Sequence, residues 1–253
     1  MFEGSNIIYK GMYLVGFALM MLYSIKNCGK YNISKKRAVV MTLFTYVSGV
    51  TGALIMGKIF TLISESLGLS QSSSVAIFGA VIFTPLFLIL GFIVTEKLLV
   101  AVKPGSWRDN IDLLTPGIFM ILICAKFGCM FAGCCQGFLC DSFGIYNPVL
   151  DAKVFPIQPF EVVTMTAVMV ICHFLLKKEN IFPRGSAYPL TAAIYSITRF
   201  CWEFARYYES DSLRHLFMGL SFWQICCILV TGCCTIIIFL LRRQNSKKSL
   251  SKQ

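Results

Sequence analysis

Residues 186–211, SAYPLTAAIYSITRFCWEFARYYESD, place Arg199, Glu203 and Arg206 near the end of a segment otherwise apolar enough to sit in a bilayer. Each charge at mid-bilayer costs roughly 2.5–3.5 kcal/mol on insertion scales, so such residues face a bundle interior, pair with one another or bind something. On a helix, Tyr195, Arg199, Glu203 and Arg206 share one narrow stripe. Arg199/Glu203 and Glu203/Arg206 can bridge at i,i+4 and i,i+3, and two cations against one anion leave a positive surplus. Two readings follow: a self-satisfied salt-bridge cluster at a helix end, or a phosphate or carboxylate site at the membrane face. Arginine suits the second, because its planar fork binds phosphate through two bonds and stays protonated.

A second cation, Lys126, lies in AKFGCMFAGCCQG (125–137) and needs a partner that Glu161 or Glu203 can supply. Gly128, Gly133 and Gly137 in the same stretch mark places where a helix loosens, or where a lipid or backbone comes close. In FPIQPFE (155–161) two prolines fix a turn that holds Gln158 and Glu161 near the interface. His173, deep in an apolar run, reads as an interhelical hydrogen-bonding residue rather than a catalyst.

Four of the 12 cysteines, Cys129, Cys134, Cys135 and Cys140, follow the pattern C-x4-C-C-x4-C. Zinc sites favour two closely spaced pairs, and adjacent cysteines chelate poorly, so neither metal nor cofactor is expected. Tight packing of small residues is the main reading for Cys129, Cys134 and Cys135, with redox or metal roles as the alternative. Cys226, Cys227, Cys233 and Cys234 sit in an apolar run as small hydrophobes.

The elements that position these groups are membrane helices. A chain of 253 residues with 57% hydrophobic and 14% charged side chains and mean hydropathy +0.72 is no soluble globule, whose charged share is about 25%. Apolar runs near the membrane-spanning length give about seven spans, at 7–25, 38–56, 74–95, 111–131, 160–176, 187–207 and 222–241. The first is expected to be retained rather than cleaved as a signal peptide. Between the second and third, residues 59–73 read as an interfacial segment or a plain loop. Pro85 should kink the third span or open its hydrogen-bond ladder. Residues 1–244 form one polytopic domain, and 245–253 a disordered basic tail.

Sixteen of the 23 basic residues fall on one set of connections: Lys26 to Arg37, Lys97 to Arg108, Lys177 to Arg184, and the tail from Arg242. The positive-inside rule then sets the N-terminus outside and the C-terminus in the cytoplasm. The net charge of +11 is mostly this topology signal plus attraction to anionic headgroups, and requires no nucleic-acid partner.

Three motifs carry a resemblance to the prolipoprotein diacylglyceryl transferase family, and together they cover most of residues 50–210. AKFGCMFAGCCQG resembles the family signature, FPIQPFE its HPTQLYE-type motif, and YSITRFCWEFAR (195–206) its closing motif, with Tyr195, Arg199, Glu203 and Arg206 all present. The resemblance implies a multi-pass enzyme of the bacterial cytoplasmic membrane that moves a diacylglyceryl group from phosphatidylglycerol to the cysteine thiol of a lipobox signal peptide. On that footing Arg199, Glu203, Arg206, Tyr195 and Lys126 are the candidate catalytic residues. Gln158, Glu161, Gly128, Gly133, Gly137 and Lys58 are the candidate substrate contacts. The chain departs from the family in having Lys126 for arginine, Cys129 and Cys134 for asparagine and glutamate, and Phe155 for histidine; Phe78-Gly79-Ala80 stands where the family has His-Gly-Gly. A non-catalytic lipid-binding or assembly protein on the same scaffold, and a thiol-redox membrane protein, are the other classes these residues allow.

The topology has a direct check. Cysteine labels at positions 30 and 245 should react only after the membrane is permeabilised, and labelling of either from outside would reverse the orientation.

Overall fold

Apolar helix formers in runs of twenty or more dictate helices here, because a backbone in lipid must satisfy its own hydrogen bonds. The computed structural model describes residues 3–68, 76–98, 105–147, 150–177, 181–208 and 214–250. The helices are α1 (Glu3–Asn27), α2 (Lys35–Ser66), α3 (Ile77–Leu98), α4 (Trp107–Ala132), α5 (Ile157–Leu176), α6 (Ala187–Glu203) and α7 (Phe222–Leu250), with a 3-10 turn at Cys28–Tyr31. A small antiparallel hairpin, β1 (Ile145–Asn147) with β2 (Ala152–Val154), joins α4 to α5, and Tyr146 faces Lys153 in its register. Among the described residues six helices are long and apolar enough to cross a membrane: α1 to α5 and α7. The chain is an all-α multi-pass membrane protein, and the hairpin is its one small exception among the described residues.

Three expectations shift. The sixth span, at 187–207, shrinks to the 17 residues of α6, about 26 Å at 1.5 Å per residue and shorter than a bilayer core of about 30 Å. This helix is buried along nearly its whole first half, so protein rather than lipid surrounds it and spanning length is not required. The connection at 59–73 is not a loop as far as Ser66, because α2 continues to that residue; its stretch 69–73 lies outside the described residues. The tail is helical to Leu250, since an established helix propagates cheaply into a sequence with few breakers. Pro85 lies within α3, which continues through it.

Close helix approach sets the packing. A Cβ on Gly16 of α1 would lie 2.9 Å from Ile121 Cα of α4, and one on Gly52 of α2 would lie 2.9 Å from the Gly79 carbonyl oxygen of α3. Small residues allow such contact where lipid tails give no hydrophobic drive. The central helix α4, buried over two-thirds of its span, begins with a capping box in which Asp109 N–H donates to Ser106 Oγ at 3.1 Å and Ser106 N–H donates to Asp109 Oδ2 at 3.0 Å.

One half-buried carboxylate on α4, Asp112, aims α6. Ser186 provides no side-chain cap to that helix. Instead Asp112 accepts from Gly185 N–H at 2.7 Å and Ala187 N–H at 3.0 Å. These are orphan donors at the positive end of the helix dipole. Beside it Arg184 Nη1 pairs with Asp109 Oδ1 at 3.0 Å. Asp112→Ala should therefore cost about 1–3 kcal/mol, the penalty of stranding buried donors, and lower the melting midpoint of the detergent-solubilised protein. Asp141→Ala, at an exposed position, should leave it in place.

Candidate active site

The C-terminal ends of α4 and α6 and the N-terminal end of α5 meet, and the charges predicted from sequence meet with them. Glu161, on the first turns of α5, is the hub. Its Oε2 lies 2.8 Å from Lys126 Nζ; its Oε1 lies 2.5 Å from Arg206 Nη2 and 3.9 Å from Arg199 Nη1. Arg199 also bonds Glu203 one turn further along α6, and Glu203 Oε2 stands 3.9 Å from Arg206 Nε. Tyr208 donates its hydroxyl to Glu203 Oε1. Burial and the Glu203 carboxylate push this phenol up, so it stays a neutral donor.

All five charged residues are buried, with Lys126, Glu161 and Glu203 each 3% exposed. Three cations against two carboxylates leave one positive charge over, and Arg206 Nε has no hydrogen-bond acceptor among the described residues. Charges buried this way are held only by excellent geometry. A site with a surplus cation and an open guanidinium donor is suited to an anion.

A layer of extended backbone closes over the cluster. Past Glu203 the chain leaves the helix, and Tyr207 N–H donates to the Gln136 carbonyl at 3.1 Å while Phe138 N–H donates to the Ala205 carbonyl at 3.0 Å. On the other side Phe155 N–H donates to the Phe138 carbonyl at 2.9 Å. Gly137 fits this layer because a Cβ would lie 2.5 Å from the Phe155 carbonyl oxygen. Phe155 stacks between Phe138 and Phe160, with centroids 5.2 and 5.3 Å away, and Trp202 Nε1 ties α6 to Thr164 Oγ1 of α5 at 3.1 Å.

The remaining candidates divide. Tyr195 is buried one turn before Arg199, with its ring edge-on to Phe119 at 5.8 Å and beside Phe78 at 6.0 Å. Gln158 faces inward to the turn, its Nε2 donating to the Cys134 carbonyl at 2.8 Å. Gly133 ends α4 at φ +64, and Gly128 lets Tyr9 of α1 approach, where a Cβ would meet the tyrosine Cδ2 at 2.9 Å. Lys58 is exposed on α2 and joins none of the cluster's ion pairs. His173 is exposed on α5, not an interhelical bonding residue; its described contact is with Phe174. The second of the two histidines in the chain, His215, is also exposed, against the Gly219 carbonyl. No imidazole reaches the cluster.

Sequence reasoning missed Tyr208, Asn147, which donates to the Gly133 carbonyl at 3.1 Å, and Asp112. Only Asp112 left a signal, as a carboxylate inside an apolar run. Helices α1, α2, α3 and α4 line a half-open apolar pocket of about 360 Å³, with Tyr9, Tyr13, Gly49, Ala80, Ile118 and Leu122 among its walls.

The prolipoprotein diacylglyceryl transferase family model matches residues 7–240. A relative from Clostridium perfringens (strain 13 / Type A), named phosphatidylglycerol–prolipoprotein diacylglyceryl transferase 2, is 28% identical over 209 residues, covering 79% of this chain and 79% of its own length. A match across nearly the whole chain, with the three resembling motifs converging on one buried charge cluster, settles the family question: this chain is a member of the prolipoprotein diacylglyceryl transferases.

Proposed function

We propose that the chain transfers a diacylglyceryl group from phosphatidylglycerol to a protein thiol, in the manner of a lipobox cysteine, at the outer face of the bacterial cytoplasmic membrane. The carrying observation is the Glu161 hub, which gathers Lys126 from α4, Arg199 from α6 and Arg206 from the turn beyond it, and leaves one positive charge over. A phosphodiester carries the single negative charge that would balance it. Both arginines and Lys126 lie at one end of the bundle with the N-terminal turns of α1, the end that the positive-inside rule puts outside.

In this reading the acceptor thiolate attacks the glycerol carbon next to the phosphate, a C–S bond forms, the C–O bond breaks, and glycerol phosphate leaves. Charge accumulates on the departing phosphate. Arg199 and Arg206, fixed beforehand by Glu161 and Glu203, are aimed at that charge and reorganise little as it develops. The pocket between α1 and α4 is apolar and large enough for part of an acyl chain. A lipid-binding protein without catalysis is the second reading, favoured by the apolar Phe78 and Phe155 where the family carries histidine.

Incubation with labelled phosphatidylglycerol and a lipobox peptide separates the two: the transferase reading requires the peptide to gain a diacylglyceryl mass with release of glycerol phosphate. Arg199→Ala and Arg206→Ala should each lose about 1.5–3 kcal/mol of charge-assisted bonding, roughly 10- to 100-fold in lipid affinity or turnover, whereas Phe200→Leu should change little. Unaltered affinity in both folded arginine variants would mean that the cluster only braces the helices.

Lys126→Met should abolish turnover while the fold persists, and Lys126→Arg should keep or improve it. Activity checks both, together with a melting curve for each variant. A fully active Lys126→Met would remove the lysine from the mechanism.

A further inference from the structure

Cys129, Cys134 and Cys135 are free thiols whose sulfurs all lie within 4.8 Å of one another. Adjacent side chains on regular backbone diverge, so this convergence needs a cause, and the backbone provides it. Gly133 ends α4 in the left-handed region with its N–H on the Cys129 carbonyl, Cys134 N–H returns to the same carbonyl at 3.3 Å, and Cys135 is itself left-handed at φ +60. For a residue with a Cβ that conformation costs roughly 1–2 kcal/mol. The turn is pinned from outside by Gln158 on the Cys134 carbonyl and by Asn147 and Gln136 on the Gly133 carbonyl. Three thiols packing as small hydrophobes require neither the strain nor the convergence.

The spacing suits coordination. A metal–sulfur bond of about 2.3 Å sets tetrahedral sulfurs about 3.8 Å apart, which three side chains within 4.8 Å reach by small rotations. Thiolates select thiophilic ions. A divalent ion offsets two of the three thiolate charges itself.

We propose that Cys129, Cys134 and Cys135 hold one thiophilic divalent ion of the zinc class through three thiolates, with its fourth position open to the acceptor thiol. The role of the fourth position rests on the transferase reading; the metal site does not. Three protein ligands and an open position are the pattern of a reactive rather than a structural site, and a thiol that coordinates such an ion loses its proton outright. That supplies the nucleophile in a chain whose two histidines are both exposed and away from the cluster. The balance closes without oxidant or reductant: the acceptor thiol gives its proton to solvent, its sulfur takes the glycerol carbon, and the electron pair of the broken C–O bond leaves on glycerol phosphate beside Arg199 and Arg206.

The test uses the full chain in detergent, purified with zinc and then dialysed, with metal measured by mass spectrometry. One ion per chain is expected. Cys129→Ser and Cys135→Ser should each weaken retention by more than the roughly 10- to 100-fold that follows loss of an outer-shell partner, while Cys226→Ser, in α7, should leave it unchanged. Cobalt substitution should give thiolate-to-cobalt charge-transfer bands that each of the first two variants loses even when folded. Addition of a lipobox peptide should shift the visible cobalt bands, and a peptide with serine for its cysteine should not. A metal-free wild-type chain, a disulfide among the three cysteines, or equal metal in Cys129→Ser would overturn the site. Phosphatidylglycerol turnover by a metal-free chain would overturn the metal's role toward the acceptor while leaving the transferase reading intact. A cobalt-loaded site whose bands ignore the peptide would overturn the acceptor role alone.

Discussion

A single carboxylate organises this end of the molecule. Glu161 is 3% exposed and contacts Lys126 from α4 and both Arg199 and Arg206 from α6 and the turn beyond it. Without it, three buried cations would face one another with only Glu203 between them. Removing one partner of a buried pair costs about 3–5 kcal/mol, yet replacing a whole buried ion cluster by apolar side chains is often neutral or stabilising. Stability alone therefore gives no reason to keep five charges here. In the proposed function a positive surplus held in fixed geometry gives one, because it would prepare the site for an anion before the anion arrives.

The rest of the fold serves that arrangement. Asp112 anchors the far end of α6, Ser106 and Asp109 start α4, and close approach at Gly128 seats α1 beside the cluster. The backbone layer of 136–139, 153–155 and 205–207 then closes the face. Phe155 and Phe78 fill with aromatic stacking the places where the family resemblance leads one to look for imidazoles. The ring of Phe78 rests on Tyr195, so a proton-accepting role there is closed. The converging thiols of Cys129, Cys134 and Cys135 are the other reactive groups at the same helix end.

Much of this was legible in the chain. Helix periodicity put Arg199 and Glu203 on one stripe, whereas Arg206, read as continuing it, joins them from the turn after the helix ends at Glu203; the expense of a buried lysine pointed Lys126 to Glu161 or Glu203, and the bond is to Glu161. What escaped depends on contacts distant in sequence or on backbone that deviates from regularity. Gln158 was read as an interfacial contact but clamps the Cys134 carbonyl, which hydropathy cannot express. Tyr208 reaches Glu203 only because the helix stops at Glu203. The thiols meet because Cys135 adopts a left-handed conformation, and no spacing rule encodes that. The sixth span, at 187–207, was read as too long because an interior helix and a lipid-facing one share the same composition.

Native mass spectrometry of the full chain with an equimolar mixture of phosphatidylglycerol and phosphatidylcholine tests the central claim most directly, since the two lipids differ in net headgroup charge and not in their acyl chains. A poised cationic site predicts that phosphatidylglycerol is retained in clear preference, and that free glycerol phosphate displaces it. Equal retention of the two lipids, indifferent to glycerol phosphate, would contradict the account and leave the Glu161 cluster as a brace between helices.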